Sequence, residues 1–303
     1  MTQKIDLKMG RTAWFMLIIL SLVWGGSFFF AEIALRQIAP LILVLARVGL
    51  AAVSLIAVAY LTGLRLPKDV QTWRSYFIMG ALNNCIPFSL IFWGQLTIAS
   101  GLAAIFNATT PLFTVVLAHF LTRDERLTRL RLAGVVCGVA GVAVMIGPEI
   151  LSNLGNNVMA QLAVLVAAIS YGFAGIYGRR FAGQPAIITA AGQLTASSII
   201  LLPVVVFLNS SQHFSMPDMI TLAAVVALAL VSTALAYVLY FRILKVAGAT
   251  NLLLVTFLIP VSAIALGVLV LDEQIKITHI AGMAFIAAGL IAIDGRLLRW
   301  IRT

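Results

Sequence analysis

Arg47 is the one strongly basic residue set well inside an apolar stretch of this sequence. A charge at the centre of a bilayer costs at least about 2.5 kcal/mol on insertion scales, so such a residue is a functional candidate by default. Two roles fit it. It binds a substrate carboxylate, or it holds helix ends or a gate together, its head free to snorkel outward from a position seven residues past Pro40. Polar and aromatic residues at helical spacing accompany it. Asn84, Phe88, Ile91 and Gln95 share one face by the i, i+4, i+7, i+11 rule, and Thr233, Tyr237 and Tyr240 share another. Trp24, Ser27, Phe28 and Tyr171 are of the same kind. Apolar walls with a few hydrogen-bonding tips suit a small-molecule cavity, although aromatic stripes also serve packing or an interfacial belt.

Pro111 marks a different kind of site. It has no backbone N–H, so the carbonyl of Asn107, four residues earlier, loses its helical partner, and Asn107 adds a side-chain amide. In lipid both groups must face the protein interior or a wet cavity. Pro260 and Thr256 repeat the arrangement, so the two prolines are candidate hinges or gates, with simple packing kinks as the alternative. Enzyme chemistry lacks its residues. There is no H-E-x-x-H, no G-x-S-x-G, no Walker A and no pair of deep carboxylates, and the scattered His119, His213 and His279 have no metal-ligand spacing. No metal or cofactor is expected. No Asp or Glu lies deep in an apolar stretch, which leaves any proton relay to an edge acid such as Glu32. Cys85 and Cys137 read as small buried hydrophobes.

The elements that must position these residues are membrane helices. Of 303 residues, 62% are hydrophobic and 10% charged, against roughly 45–50% and 25% in soluble domains. A helix needs ~20 apolar residues to cross the hydrocarbon layer. Ten segments meet or approach this, at 12–33, 39–61, 75–97, 101–121, 130–147, 158–178, 185–208, 218–241, 250–271 and 278–295. The first follows Lys4, Lys8 and Arg11 as a signal peptide would, but bulky Trp24 and Phe28 to Phe30 stand where cleavage needs small residues, so it is expected to be retained. The net charge of +10 does not mark a nucleic-acid binder: with the amino terminus cytoplasmic, 17 of the 20 lysines and arginines fall on the cytoplasmic side, leaving Arg36 and Lys276 on the other side and Arg47 inside a helix. Both termini are then cytoplasmic.

An internal repeat organises the segments. Gly134 to Gly141 recurs as Gly282 to Gly289 with Glu125 on Glu273; Pro111 falls on Pro260, Asn107 on Thr256, Phe88 on Tyr237 and Asn84 on Thr233. Trp24-Gly25 falls on Tyr171-Gly172. The halves are 1–150 and 151–303, and because five helices is an odd number, the second enters the membrane inverted. The expected fold is all-α, ten transmembrane helices as two inverted five-helix repeats. One departure stands out: Gly192 or Gln193 occupies the place of Arg47 in the second half, so no symmetric pair of arginines exists.

On Trp24-Gly25-Gly26-Ser27-Phe28, Pro40, Arg47, Pro111, Glu125, Gly134, Gly141, Pro260, Glu273, Gly282 and Gly289, the chain resembles the drug/metabolite transporter superfamily, specifically the EamA-type permeases. The resemblance covers nearly the whole sequence. It implies a secondary transporter of small organic metabolites working by alternating access, similar to bacterial exporters of amino acids, including aromatic ones. A multi-pass protein of the bacterial inner membrane, functional as a monomer, is the form it implies. Export of drugs or other metabolites is the alternative, with a channel or an intramembrane enzyme behind it. Nucleotide sugars fit less well, because two phosphates call for several cavity-facing basic residues and there is one.

Overall fold

The computed structural model describes residues 10–122, 128–146, 156–208, 216–240, 242–243 and 255–294, and among them every regular element is helical. In chain order these are α1 (Arg11–Leu35), α2 (Pro40–Leu61), α3 (Val70–Gln95), α4 (Ser100–Leu121), α5 (Arg129–Ile146), α6 (Asn156–Tyr177), α7 (Ala186–Leu208), α8 (Met219–Tyr240), α9 (Val255–Leu271) and α10 (Ile277–Asp294). Seven spans among the described residues, those of α1 to α4 and α6 to α8, are long and apolar enough to cross a bilayer, and α9 and α10 contain shorter apolar stretches. The protein is a membrane protein. Large apolar side chains such as Phe15, Phe120, Phe207 and Leu269 face outward, as lipid contact requires.

Two helices, α3 and α8, begin at an aspartate cap. α3 starts at Val70, earlier than hydropathy alone suggests, because the Asp69 side chain accepts from the Thr72 N–H at 2.8 Å and closes the first turn. Asp218 caps α8 in the same way, accepting from the Thr221 N–H at 2.7 Å. α4 has no cap of its own. The Glu273 carboxylate reaches across from the α9–α10 connection to accept from the N–H groups of Ser100 and Gly101, at 2.7 and 3.0 Å. Gly267 leaves the room for it, since a Cβ there would collide with that carboxylate.

The packing has a repeating pattern. α2 lies on α7, α4 on α9 and α5 on α10; α1 meets α9 as α6 meets α4, α1 meets α8 as α6 meets α3, and α3 meets α7 as α8 meets α2. Exchanging each helix with the one five places away leaves this set unchanged. At the crossing of α5 and α10, a Cβ on Gly134 would stand 2.6 Å from the Gly289 carbonyl oxygen, and one on Gly141 would stand 2.7 Å from that of Gly282. As one index rises by seven the other falls by seven, so the two helices run antiparallel with their backbones in contact, an approach only glycine permits.

Two features depart from simple helices. α3 contains a π-helical turn at Ala81–Cys85 and α8 one at Leu230–Leu235, the equivalent place. In α3 the cause is Pro87, whose missing N–H leaves the carbonyl four residues back without its normal donor. In α8 the Thr233 hydroxyl donates instead to the Leu228 carbonyl five residues back, at 2.9 Å. The other feature is α4, which breaks between Asn107 and Thr110. The carbonyls freed there accept from hydroxyls, Phe106 from Thr109 at 2.6 Å and Asn107 from Thr110 at 2.7 Å. Pro111 begins the second piece, whereas Pro260 sits inside an unbroken α9.

Candidate substrate site

The π-turn of α8 faces α2 and the π-turn of α3 faces α7, and several buried polar residues gather there. Arg47, on α2, is 5% exposed and does not snorkel. Its Nε donates to the Thr233 hydroxyl at 2.9 Å, and its guanidinium lies over the Phe88 ring at 3.8 Å, with Phe92 at 5.8 Å. Phe88 and Tyr171 meet edge to face at 6.5 Å, which completes an aromatic wall from α3 and α6. A desolvated cation–π contact contributes about 2 kcal/mol and a hydrogen bond from a charged group about 1.5–3. Together these offset the few kcal/mol of placing arginine in a membrane. Neither supplies negative charge: among the described residues no carboxylate pairs with Arg47.

On the facing side the chemistry is neutral. Asn83 Nδ2 donates to Gln193 Oε1 at 3.2 Å and to the Tyr237 hydroxyl at 3.1 Å, and Gln193 Nε2 donates to the same hydroxyl at 3.2 Å. Asn84 Nδ2 donates to the Ser197 hydroxyl at 3.0 Å, while Asn84 Oδ1 is enclosed without a donor. Gly80 lets α3 approach α7 this closely, since a Cβ there would lie 2.7 Å from the Gln193 carbonyl oxygen.

Of the residues singled out from sequence, Arg47, Phe88, Tyr171, Thr233, Tyr237 and Asn84 come together here. Trp24 and Tyr240 pack on each other at a centroid distance of 5.9 Å, joining α1 to α8. Ser27 and Phe28 are buried on α1. Gln95 stands apart, at the end of α3, where its Nε2 donates to the Phe28 carbonyl at 2.9 Å and, at 3.4 Å, to Glu32. Asn107 is half-buried at the break in α4, with an enclosed Oδ1 that has no donor, and Thr256 lies in the first turn of α9. Sequence reasoning missed Asn83, Phe92 and Ser197 and treated Gln193 only as one of two residues, with Gly192, at the place of Arg47. An amide pair beside Pro87 and a lone amide in the apolar α7 were the available signals.

The model of the EamA-like transporter family matches this chain twice, over residues 11–147 and 158–293. The chain belongs to the EamA-like transporter family. Its two copies of the domain correspond to α1–α5 and α6–α10. The EamA-like relatives include an uncharacterized transporter, YoaV, of Bacillus subtilis, 26% identical over 90% of this chain and 94% of its own length. Another is a probable amino-acid metabolite efflux pump of Salmonella typhimurium, 26% identical over 93% of this chain and 94% of its own. Protein PecM of Dickeya dadantii is 28% identical over 90% of this chain and 89% of its own. A solved crystal structure superposes with a TM-score of 0.68 at 21% identity, covering 95% of this chain and 98% of the other, which establishes a common fold.

Proposed function

We propose that this EamA-like protein is a secondary transporter that moves amino acids, aromatic ones included, out of the bacterial cell by alternating access. The observation that carries the reading is Arg47, a buried cation held by Thr233 and Phe88 with no acidic partner among the described residues. A substrate carboxylate supplies the missing charge, and the surrounding rings suit an apolar side chain. The efflux-pump relative favours amino acids over drugs as substrates.

The same proposal includes ten membrane spans in two inverted halves, 1–150 and 151–303, acting as a monomer. The antiparallel crossing of α5 and α10 and the exchange pattern of helix contacts support inversion, because equivalent helices of inverted halves must run oppositely. Sidedness has support too. Gln37 bonds to Asp218 and Glu273 to Ser100, grouping one set of connections, while Tyr76 bonds to Gln184, grouping the other. The second set carries Lys68, Arg74, Arg179 and Arg180, as a cytoplasmic face would.

The test is counterflow in proteoliposomes with a panel of amino acids, amines, nucleotide sugars and lipophilic cations. Saturable exchange of amino acids is expected. A response confined to lipophilic cations replaces the amino-acid reading with a drug exporter, and a single-channel current without counterflow replaces the carrier. Cysteines at Thr2 and Thr303 are expected to label only from the cytoplasm; labelling from opposite sides refutes ten spans.

A further inference from the structure

We infer that Asn83, Gln193 and Tyr237 form the second pole of the substrate site, a neutral cluster that reads a hydrogen-bond donor, the α-ammonium of an amino acid. The inference rests on Arg47 as the carboxylate pole and assigns the other end of the same molecule. Thr233, which holds Arg47, and Tyr237, which joins the amide cluster, are four residues apart on α8. Arg47 and Tyr237 are close enough to interact electrostatically. One zwitterion can therefore touch both poles.

The hydrogen-bond inventory of the cluster gives the sign of its ligand. The Asn83 amino group spends both hydrogens, on Gln193 and Tyr237, and the Gln193 amino group spends one on Tyr237. The Asn83 carbonyl oxygen accepts from no described residue, and the Asn84 carbonyl oxygen is enclosed with no donor. Asn83 has no amide hydrogen left and Gln193 has one, whereas two carbonyl oxygens are left over as acceptors. A ligand that brings N–H groups satisfies such a cluster, whereas an anion meets more lone pairs. The π-turn at Ala81–Cys85 carries both asparagines, and their amides bond to two successive turns of α7, at Gln193 and Ser197. Gly192 or Gln193 also stands where Arg47 aligns in the first half. Equivalent places in the two halves thus carry opposite preferences, a cation on α2 and surplus acceptors against α7.

The experiment compares phenylalanine with 3-phenylpropionate, which lacks the ammonium, and with phenylalaninamide, which lacks the carboxylate, in counterflow by the reconstituted protein. The wild type is expected to prefer phenylalanine over 3-phenylpropionate by about tenfold or more, the usual consequence of leaving buried polar groups unpaired. Asn83→Leu with Gln193→Leu is expected to abolish that preference while 3-phenylpropionate still exchanges. Arg47→Gln is expected to do the reverse, sparing phenylalaninamide. If the double variant lowers phenylalanine and 3-phenylpropionate by the same factor, the cluster is helix packing and the inference falls. Should the double variant not fold, Asn83→Asp decides: a gain for phenylalaninamide over 3-phenylpropionate supports the ammonium pole, and no gain overturns it. Loss of the Arg47 reading shows separately, as phenylalanine and phenylalaninamide falling together in Arg47→Gln.

Discussion

The contacts of α2 with α8 and of α7 with α3 occupy equivalent places in the two halves, yet they carry different chemistry. In the first, Arg47 donates to Thr233 and lies on Phe88; in the second, Gln193 meets Asn83 and Tyr237. The scaffold beneath them is nearly the same, with a π-turn in each partner helix and a glycine-lined crossing of α5 on α10. The backbone features match while the side-chain polarity differs. In the proposed carrier, halves that exchange shapes would alternate access to a site whose unlike poles suit a substrate with two unlike ends.

The comparison is broken most severely at Arg47. Arg47→Gln is expected to lower exchange of carboxylate substrates by about thirtyfold or more, the effect of losing a buried charged contact worth 2 kcal/mol or more. Amide derivatives of the same substrates are expected to be spared. Equal loss for both in a counterflow assay assigns Arg47 a structural role instead.

The scaffold itself is tested at the glycines. A Cβ on Gly134 would meet the Gly289 carbonyl oxygen at 2.6 Å, and one on Gly289 would meet that of Gly134 at 2.5 Å. Gly134→Ala and Gly289→Ala are each expected to destabilise by about 1–3 kcal/mol, because backbone must move apart. Gly49→Ala, with 3.8 Å to its nearest neighbour, is expected to be close to neutral. Thermal unfolding in detergent measures all three. If neither of the first two destabilises more than Gly49→Ala, the close backbone approach at the crossing is refuted.

A smaller asymmetry is expected from the prolines. α4 is broken before Pro111 and α9 is continuous through Pro260, so Pro111→Ala has a helix to rebuild and Pro260→Ala adds only a donor. Pro111→Ala is expected to shift the balance of inward- and outward-open forms about tenfold, a bias of ~1.4 kcal/mol, and Pro260→Ala less and in the opposite direction. Labelling of a cysteine at Ser27 from each side reads both. Shifts in the same direction would make the prolines packing kinks.

The smallest effect concerns the matched caps Asp69 and Asp218. Hydrogen bonds hold each below the ordinary aspartate value of 3.8, Thr72 to Asp69 and the Thr221 N–H to Asp218, with Gln37 adding a 2.6 Å bond to Asp218. A carboxylate depressed on folding contributes stability that is present above its ordinary value and is lost as the pH falls below it. Asp218→Asn is therefore expected to lower the melting temperature slightly at neutral pH, more than Asp69→Asn does, with both differences vanishing in acid. A difference that persists in acid would mean that the caps do not act through charge.

Composition and spacing were enough to place this chain in a membrane, divide it into two related halves and single out Arg47, because the cost of polar groups in lipid is paid locally, residue by residue. The pairing of Pro111 with Pro260 and of Gly134 with Gly282 was equally legible as a repeat. What sequence could not supply was partnership. Arg47 and Thr233 are 186 residues apart, and nothing local announces that one holds the other. Glu273 carries the pattern of a loop residue, and only the return of the α9–α10 connection over α4 makes it the cap of Ser100 and Gly101. The π-turns decided the site: one extra residue per turn rotates everything after it, so regular helical spacing misplaced Asn83 and Asn84 relative to Phe88. Helix ends and faces follow from local chemistry, but which faces meet is settled by packing between distant segments, and that is a property of the tertiary structure.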